Sequence, residues 1–175
     1  MKKFSILVAT LALAGGSAVA QAESVTMSFL NDDGSVGKSA GTVALEQTKE
    51  GLKFTPDLKG LPPGEHGFHV HEKGSCESTT VDGKVMPGGA AGGHLDPFNT
   101  KAHKGPLATD GHLGDLPFIT VAADGSAKTA VVAPRLKLAD VKQRALMIHV
   151  GADNYSDTPK PLGGGGGRMI CGVIK

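Results

Sequence analysis

The sequence predicts an all-β domain, an antiparallel sandwich or barrel of eight strands with two long functional loops. Apolar residues alternate with polar ones in short runs, whereas the 3.6-residue spacing of an amphipathic helix is scarce. Glycine and proline are abundant, with 26 and 10 residues in the chain of 175, and they separate the runs. Short alternating runs divided by turn residues are typical of antiparallel sandwiches and barrels.

Eight runs qualify as strands. The first four are recognised by alternating apolar residues, namely Val25, Met27 and Phe29; Val43 and Leu45; Leu52 and Phe54; Phe68 and Val70. Turn signals at 31–34 and 48–51 separate the first three. The other four runs are 118–121, 127–133, 145–150 and 169–174, with the turn Ala123-Asp124-Gly125 inside the first pair.

Two long stretches, 72–115 and 151–168, carry little strand signal and much Gly, Pro and Asp. Loops of this length in a small domain are usually functional or disordered. The second contains the five-glycine tract Gly163–Gly167, which predicts a flexible segment. A phosphate-binding loop would need a Lys-Ser or Lys-Thr pair after the glycines, and none follows.

The first 22 residues have the three regions of a secretory signal peptide. Lys2 and Lys3 are followed by an apolar stretch from Ile6 to Ala14 and by small residues ending in Ala20-Gln21-Ala22. The apolar stretch is too short to span a bilayer. We therefore expect residues 1–22 to be cleaved, with a cut after Ala20 as the alternative, and residues 23–175 to form one domain.

Removing the leader takes away Lys2 and Lys3 and changes the formal net charge from +1 to −1. Nucleic-acid binding would call for a basic stripe, so we expect no nucleic-acid partner. No second apolar segment approaches membrane length, and we expect no membrane association after cleavage.

Cys76 and Cys171 are the only two cysteines. In a chain that leaves the cytosol, a disulfide is the first expectation. It would close a loop of about 95 residues, worth roughly 4–5 kcal/mol in the chain-entropy model. The alternative, soft metal ligands, usually shows C-x-x-C spacing, which is absent here.

The seven histidines fall in a pattern that indicates two adjoining metal sites. His69 and His71 share one face of a strand because side chains at i and i+2 do. His149, on a later strand, could join them. A single H-x-H pair is weak evidence, since surface histidine pairs are common.

The cluster His94, His103, His112 and Asp115 is stronger evidence. Three imidazoles and one carboxylate suit tetrahedral Zn²⁺. The alternative is a solvated polar loop, but such a loop has no reason to hold three of the seven histidines.

Two segments resemble signatures of the copper,zinc superoxide dismutases. They are His66-Gly67-Phe68-His69-Val70-His71 and Gly167-Arg168-Met169-Ile170-Cys171-Gly172-Val173-Ile174. The likeness extends from the first strand to Ile174, and the loop from Glu72 to Gly93 looks like the bacterial, periplasmic branch. The loop 151–168 lacks the charge pattern of the animal enzymes, so the source of substrate steering and the pairing of subunits are not transferred from them.

The resemblance implies an eight-stranded Greek-key topology and a role for each site residue. His69, His71, His94 and His149 would bind copper, and His94, as a bridging imidazolate, would also bind zinc with His103, His112 and Asp115. Asp153 would link a copper ligand to a zinc ligand, and Cys76 would pair with Cys171. Arg168 would bind the substrate anion, with Lys73 and Lys160 as weaker steering candidates, and His66 would bind backbone.

The implied activity is dismutation of superoxide to O₂ and H₂O₂ by one-electron cycling of one copper per subunit, beside one zinc, in the periplasm. The assembly would be a monomer or a homodimer. Two other functions fit the residues less well. A secreted copper or zinc buffer could lose Arg168 or a ligand without harm, and a zinc hydrolase would keep one of its four coordination positions open.

Overall fold

The computed structural model describes residues 22–175. The predicted leader, residues 1–22, lies outside this range except for Ala22, which begins the first strand. Within the described range, no helix is both long and apolar enough to cross a membrane.

One antiparallel sheet organises the domain. Its seven strands run in the order β5-β10-β11-β1-β2-β3-β9. Their bounds are β1 Ala22–Leu30, β2 Val36–Gln47, β3 Leu52–Leu58, β5 Phe68–His71, β9 Val131–Ala133, β10 Ala145–His149 and β11 Arg168–Val173. Two further pairs are β4 Gly64–His66 with β8 Ile119–Val121, and the hairpin of β6 Thr79–Val81 with β7 Lys84–Met86.

The fold confirms the predicted Greek-key architecture. Only Gly67 separates β4 from β5, so the two form one strand that bends between sheets. Counted in this way, eight strands build the domain and β6–β7 is an addition within a loop. The chain turns after β8, between Ala122 and Ser126. A bridge between Leu58 and Ala127 then places the segment after this turn beside the end of β3. The connections from β3 to β4 and from β9 to β10 join strands that are not neighbours in a sheet.

The core fills the inside of the curled sheet. Phe54 and Phe68 are fully buried and meet edge to face, with ring centroids 5.6 Å apart. The strands β5 and β10 are buried at every residue, unlike a strand with one solvated face. In β5, Phe68 and Val70 belong to the core, while His69 and His71, which alternate with them, lie under the long loops.

Three local features differ from the sequence prediction. The 72–115 stretch contains the β6–β7 hairpin, turned by Asp82 and Gly83 at φ 50° and 74°. It also contains a single 3-10 turn, Gly89–Ala91. The run 127–133 forms a strand only at β9, with an isolated bridge at Ala127. One helical turn, α1 Leu138–Val141, precedes β10.

Candidate metal centre

Adjacent strands and the two long loops bring the predicted ligands together. β5 supplies His69 and His71, and β10, hydrogen-bonded to it, ends at His149. The loop after β5 supplies His94, His103, His112 and Asp115, and the loop after β10 supplies Asp153. None of these eight residues is more than 7% exposed. Burial of so many polar side chains requires partners for them.

Three histidines direct unprotonated nitrogens toward one point. His71 Nδ1 donates to Gly92 O at 3.0 Å, and His149 Nδ1 donates to Gly166 O at 3.1 Å. A carbonyl only accepts, so in the neutral rings both Nε2 atoms carry lone pairs. They face each other at 3.4 Å. His69 Nε2 is occupied by Asp153, which leaves His69 Nδ1 buried and without a partner among residues 22–175. A cation among these atoms would replace repulsion with coordination.

His94 lies between this group and the next. Its Nδ1 is 2.9 Å from Asp115 Oδ1, and its Nε2 is buried without a hydrogen-bond partner. The ring stacks on His69, with centroids 3.9 Å apart. The two nitrogens of one imidazole therefore serve two neighbouring clusters.

The second cluster surrounds Asp115. Backbone N–H groups of Lys104 and Gly105 donate to Asp115 Oδ2 at 3.2 and 3.3 Å and fix the carboxylate. His103 Nδ1 is 3.0 Å from Oδ2 and His112 Nδ1 is 3.3 Å from Oδ1. Neither histidine nitrogen has a hydrogen-bonding alignment. Close contacts without that alignment are expected of atoms that face a common ion.

Asp153 connects the two sides. Its Oδ2 lies 2.7 Å from His69 Nε2 and its Oδ1 lies 2.8 Å from His103 Nε2. A carboxylate that accepts from the outer nitrogen of a histidine fixes the tautomer and leaves the inner nitrogen free for a metal. Here one carboxylate does this for a histidine of each cluster.

The pKa shifts of the histidines differ between the two clusters. Burial lowers the pKa of His69, His71 and His94, and it lowers the pKa of His149 to about 4. Burial also opposes charge on His103, but the adjacent carboxylates of Asp115 and Asp153 outweigh it and raise its pKa to about 9. The first group therefore consists of neutral imidazoles, which are ready ligands, and the second has the carboxylate charge that a divalent ion needs.

Two sets of ligand atoms meet the distance requirement for a metal. The donor atoms of His69, His71, His94 and His149 all lie within 4.8 Å of one another, as do those of His69, His94, His103 and Asp115. His112 completes the second side through its contact with Asp115. The all-imidazole set, which includes His69, suits copper, and Asp115 with His94, His103 and His112 suits zinc.

Arg168 lies beside the first cluster. Its guanidinium donates to the carbonyl oxygens of Gly88 and Gly92 in the loop after β7. The disulfide between Cys76, which lies between β5 and β6, and Cys171 in β11 confirms the predicted pair. The two weaker steering candidates, Lys73 and Lys160, are exposed.

The glycine tract differs from the flexible segment that its composition predicts. Gly163 lies against Asp153 and His103, and a Cβ there would be 1.9 Å from Asp153 Oδ1. Gly165 O accepts from the backbone N–H of Gly151, and Gly166 O accepts from His149. The tract lies behind the ligands, and at Gly163 a side chain would not fit. His66, as expected, contacts the backbone carbonyls of His149 and Pro62.

Sequence reasoning missed two residues beside the second cluster, Arg135 and Asp157. Each hydrogen-bonds the backbone of a histidine in this cluster. Neither has a local sequence signal, because each is far in the chain from its partner.

The domain is a Greek-key β-barrel that buries two adjoining histidine clusters, which meet at one imidazole. These features place the chain in the class of binuclear metalloproteins. A sequence profile of the family "Copper/zinc superoxide dismutase (SODC)" matches residues 39–174. The chain is 57% identical to the superoxide dismutase [Cu-Zn] of Escherichia coli K12 over 176 residues, with both chains covered in full. It therefore belongs to the copper/zinc superoxide dismutase family and is an oxidoreductase of that kind.

Two solved structures are similar along the same range. The Cu/Zn superoxide dismutase from Brucella abortus superposes with a TM-score of 0.86 at 52% identity, covering 89% of this chain and 100% of that one. The monomeric copper, zinc superoxide dismutase from Salmonella enterica, solved in solution, gives a TM-score of 0.79 at 58% identity with the same coverage. Copper and zinc as cofactors agree with the family and with the two clusters.

Proposed function

We propose that the chain converts superoxide to O₂ and H₂O₂ at a copper site that shares His94 with a zinc site. His69, His71, His94 and His149 hold copper, and His94, His103, His112 and Asp115 hold zinc. The observation that carries the proposal is the placement of His94, with Nδ1 toward Asp115 and a buried, unpartnered Nε2 among the other three histidines.

Copper, when bound, supplies the one-electron redox chemistry, and zinc has none of its own. The protein keeps three imidazoles neutral and oriented, because Gly92, Gly166 and Asp153 accept from their outer nitrogens. Coordination through nitrogens that are already unprotonated avoids a proton release at each ligand.

His94 has a second task, to hold and return a proton. Within residues 22–175 its Nε2 has no hydrogen-bond partner, so this atom could take a proton without the loss of a hydrogen bond whenever copper does not hold it. Nδ1 stays fixed beside Asp115, which keeps the ring in place while the proton moves. A proton on Nε2 would be close to the site where the second superoxide is reduced.

Arg168 binds the substrate. Superoxide is a small anion, and a guanidinium offers both charge and hydrogen-bond donors. The carbonyls of Gly88 and Gly92 fix its position beside the copper ligands. Because the processed chain has a formal charge of −1, attraction of the anion has to be local to the site.

We also propose that residues 1–22 are removed and that residues 23–175 work in the periplasm. The disulfide between Cys76 and Cys171 supports an oxidising compartment. Mass spectrometry of the exported protein would give the cut, after Ala20 or after Ala22. A homodimer stays a prediction, since the relative from Salmonella enterica is described as monomeric. Sedimentation equilibrium would decide it for this chain.

A metal buffer on the same fold is the second candidate function, because it could use the same two clusters. Superoxide dismutation by the processed chain, measured with zinc alone and then with copper plus zinc, separates the two functions. We expect rapid turnover only with copper. Tight binding of both metals without turnover would favour the buffer.

A further inference from the structure

The backbone of two proposed zinc ligands is held by charged side chains from outside their loop. The backbone N–H of His103 donates to Asp157 Oδ2 at 2.9 Å. On the other side, Arg135 donates from Nη1 to His112 O at 3.1 Å and from Nη2 to Gly111 O at 3.2 Å. The carboxylate of Asp157 thus accepts from a backbone N–H, and the guanidinium of Arg135 donates to backbone carbonyls. The contacts on both sides are therefore charge-assisted hydrogen bonds.

These two contacts lie on either side of a backbone hydrogen bond that closes the loop. The backbone N–H of His112 donates to Ala102 O at 2.9 Å, which brings the segments of His103 and His112 side by side. The ends of the segment 102–112 therefore meet between Asp157 and Arg135. Movement at this closure would displace two ligand imidazoles at once.

The two charged residues come from different parts of the fold. Arg135 follows β9, and the next residue, Leu136, is buried in the core. Arg135 therefore connects the loop to the barrel. Asp157 belongs to the loop after β10, and its Oδ1 also accepts from Leu162 N–H at 3.1 Å. Leu162 precedes Gly163, which covers Asp153 and His103. Asp157 therefore connects the zinc ligand to the segment that covers it.

We propose that Arg135 and Asp157 are positioning residues of the zinc site, which hold the backbone of His112 and His103 and so determine how long zinc is retained. The inference rests on the proposed assignment of zinc to this cluster. Neither side chain contacts the metal position. Loss of a hydrogen bond that orients a ligand typically lowers metal affinity about 10- to 100-fold. We expect the lower end, about tenfold, since these bonds act on the ligand backbone.

The test uses the full processed chain loaded with zinc. In Asp157→Asn the side chain keeps its size but has one acceptor oxygen for two N–H donors. Arg135→Gln removes the paired donors, and Arg135→Lys keeps the charge without the two-pronged geometry. The matched control is Asp124→Asn, because Asp124 is also exposed and also accepts two hydrogen bonds, both from Ser126.

Two readouts separate positioning from a general loss of stability. The first is the rate of zinc release to a colorimetric chelator, which we expect to rise about tenfold in Asp157→Asn and Arg135→Gln, less in Arg135→Lys, and not in Asp124→Asn. The second is the visible spectrum of Co²⁺ bound in place of zinc, which reports ligand geometry and should change in the first two variants only.

Zinc release at the parental rate with an unchanged Co²⁺ spectrum would overturn the inference. So would an equal acceleration in Asp124→Asn. A parental chain that retains no zinc at all would instead overturn the proposed function, and the inference with it.

Discussion

His71 and Arg168 donate to the same carbonyl oxygen, that of Gly92. One acceptor thereby fixes both a proposed copper ligand and the cation proposed to bind superoxide. A carbonyl oxygen has two lone pairs, so neither donor excludes the other. The Gly92 peptide therefore helps to fix the distance from the anion-binding group to the metal position.

Replacement of Arg168 with isoleucine should lower kcat/KM and leave both metals bound. Gly92 O would keep its bond from His71, so the ligand stays oriented. Local positive charge in a cleft raises the association rate of an anion by roughly 10- to 1,000-fold, an effect for which superoxide dismutases are a standard example. We expect a loss of about tenfold and a weaker dependence on ionic strength. Metal loss in this variant, measured by elemental analysis, would contradict the division of roles.

Asp153→Asn should weaken both metal sites. The carboxylate accepts from His69 and His103, and an amide cannot accept from both. Loss of such a partner typically costs 10- to 100-fold in metal affinity. Competition with chelators, measured separately for copper and zinc, checks this expectation. A loss confined to one metal would show that Asp153 does not join the two sites.

Gly163→Ala should release metal, whereas Gly164→Ala should not. Both glycines have positive φ, 72° and 81°, so each alanine costs stability, about 1–2 kcal/mol. Of the two new Cβ atoms, only the one at residue 163 would meet Asp153. The atom nearest to a Cβ added at Gly164 is Lys160 Cβ, at 3.7 Å. Urea unfolding and zinc retention of the pair separate backbone strain from displacement of Asp153. Equal zinc retention would show that the close approach of Gly163 has no role.

The stability of the metal-free protein should fall as the pH falls from 6.5 toward 4. The pKa values of His69, His71, His94 and His149 lie below those of an unfolded chain, the last at about 4. The unfolded state therefore takes up more protons in this window, and folding is opposed. His103 acts in the opposite direction, because its raised pKa of about 9 stabilises the fold below pH 6.5 and this contribution disappears as the pH rises through 9.

Urea unfolding at pH 7, 5.5 and 4.5 measures this dependence. The four histidines outnumber His103, so the midpoint should decrease at each step. A constant midpoint would mean that these histidines are not held neutral in the folded protein.

Much of the fold and site could be predicted because the information is local. The alternation of Phe68 and Val70 with His69 and His71 predicts both a core strand and a pair of ligands, and the structure has this arrangement. Asp153 needed the family resemblance, since its partners lie far away in sequence. The hairpin at Asp82-Gly83 had a usable signal, because Asp-Gly between two short apolar runs favours a two-residue turn.

The remaining features depend on long-range contacts. Arg135 lies 23 residues from His112, and Asp157 lies 54 from His103. No pattern in the sequence pairs them. Glycine composition predicts flexibility for the tract at Gly163, but close packing against Asp153 determines its conformation. Such contacts become visible only when the two loops are placed over the sheet.

Electron paramagnetic resonance would show whether the two metals share His94. The protein is loaded with Cu²⁺ in the first site and Co²⁺ in place of zinc. An imidazole ring deprotonated at both nitrogens would couple the two spins, so we expect the Cu²⁺ signal to be strongly attenuated when both ions are bound. A full Cu²⁺ signal with both ions present would contradict the shared imidazole.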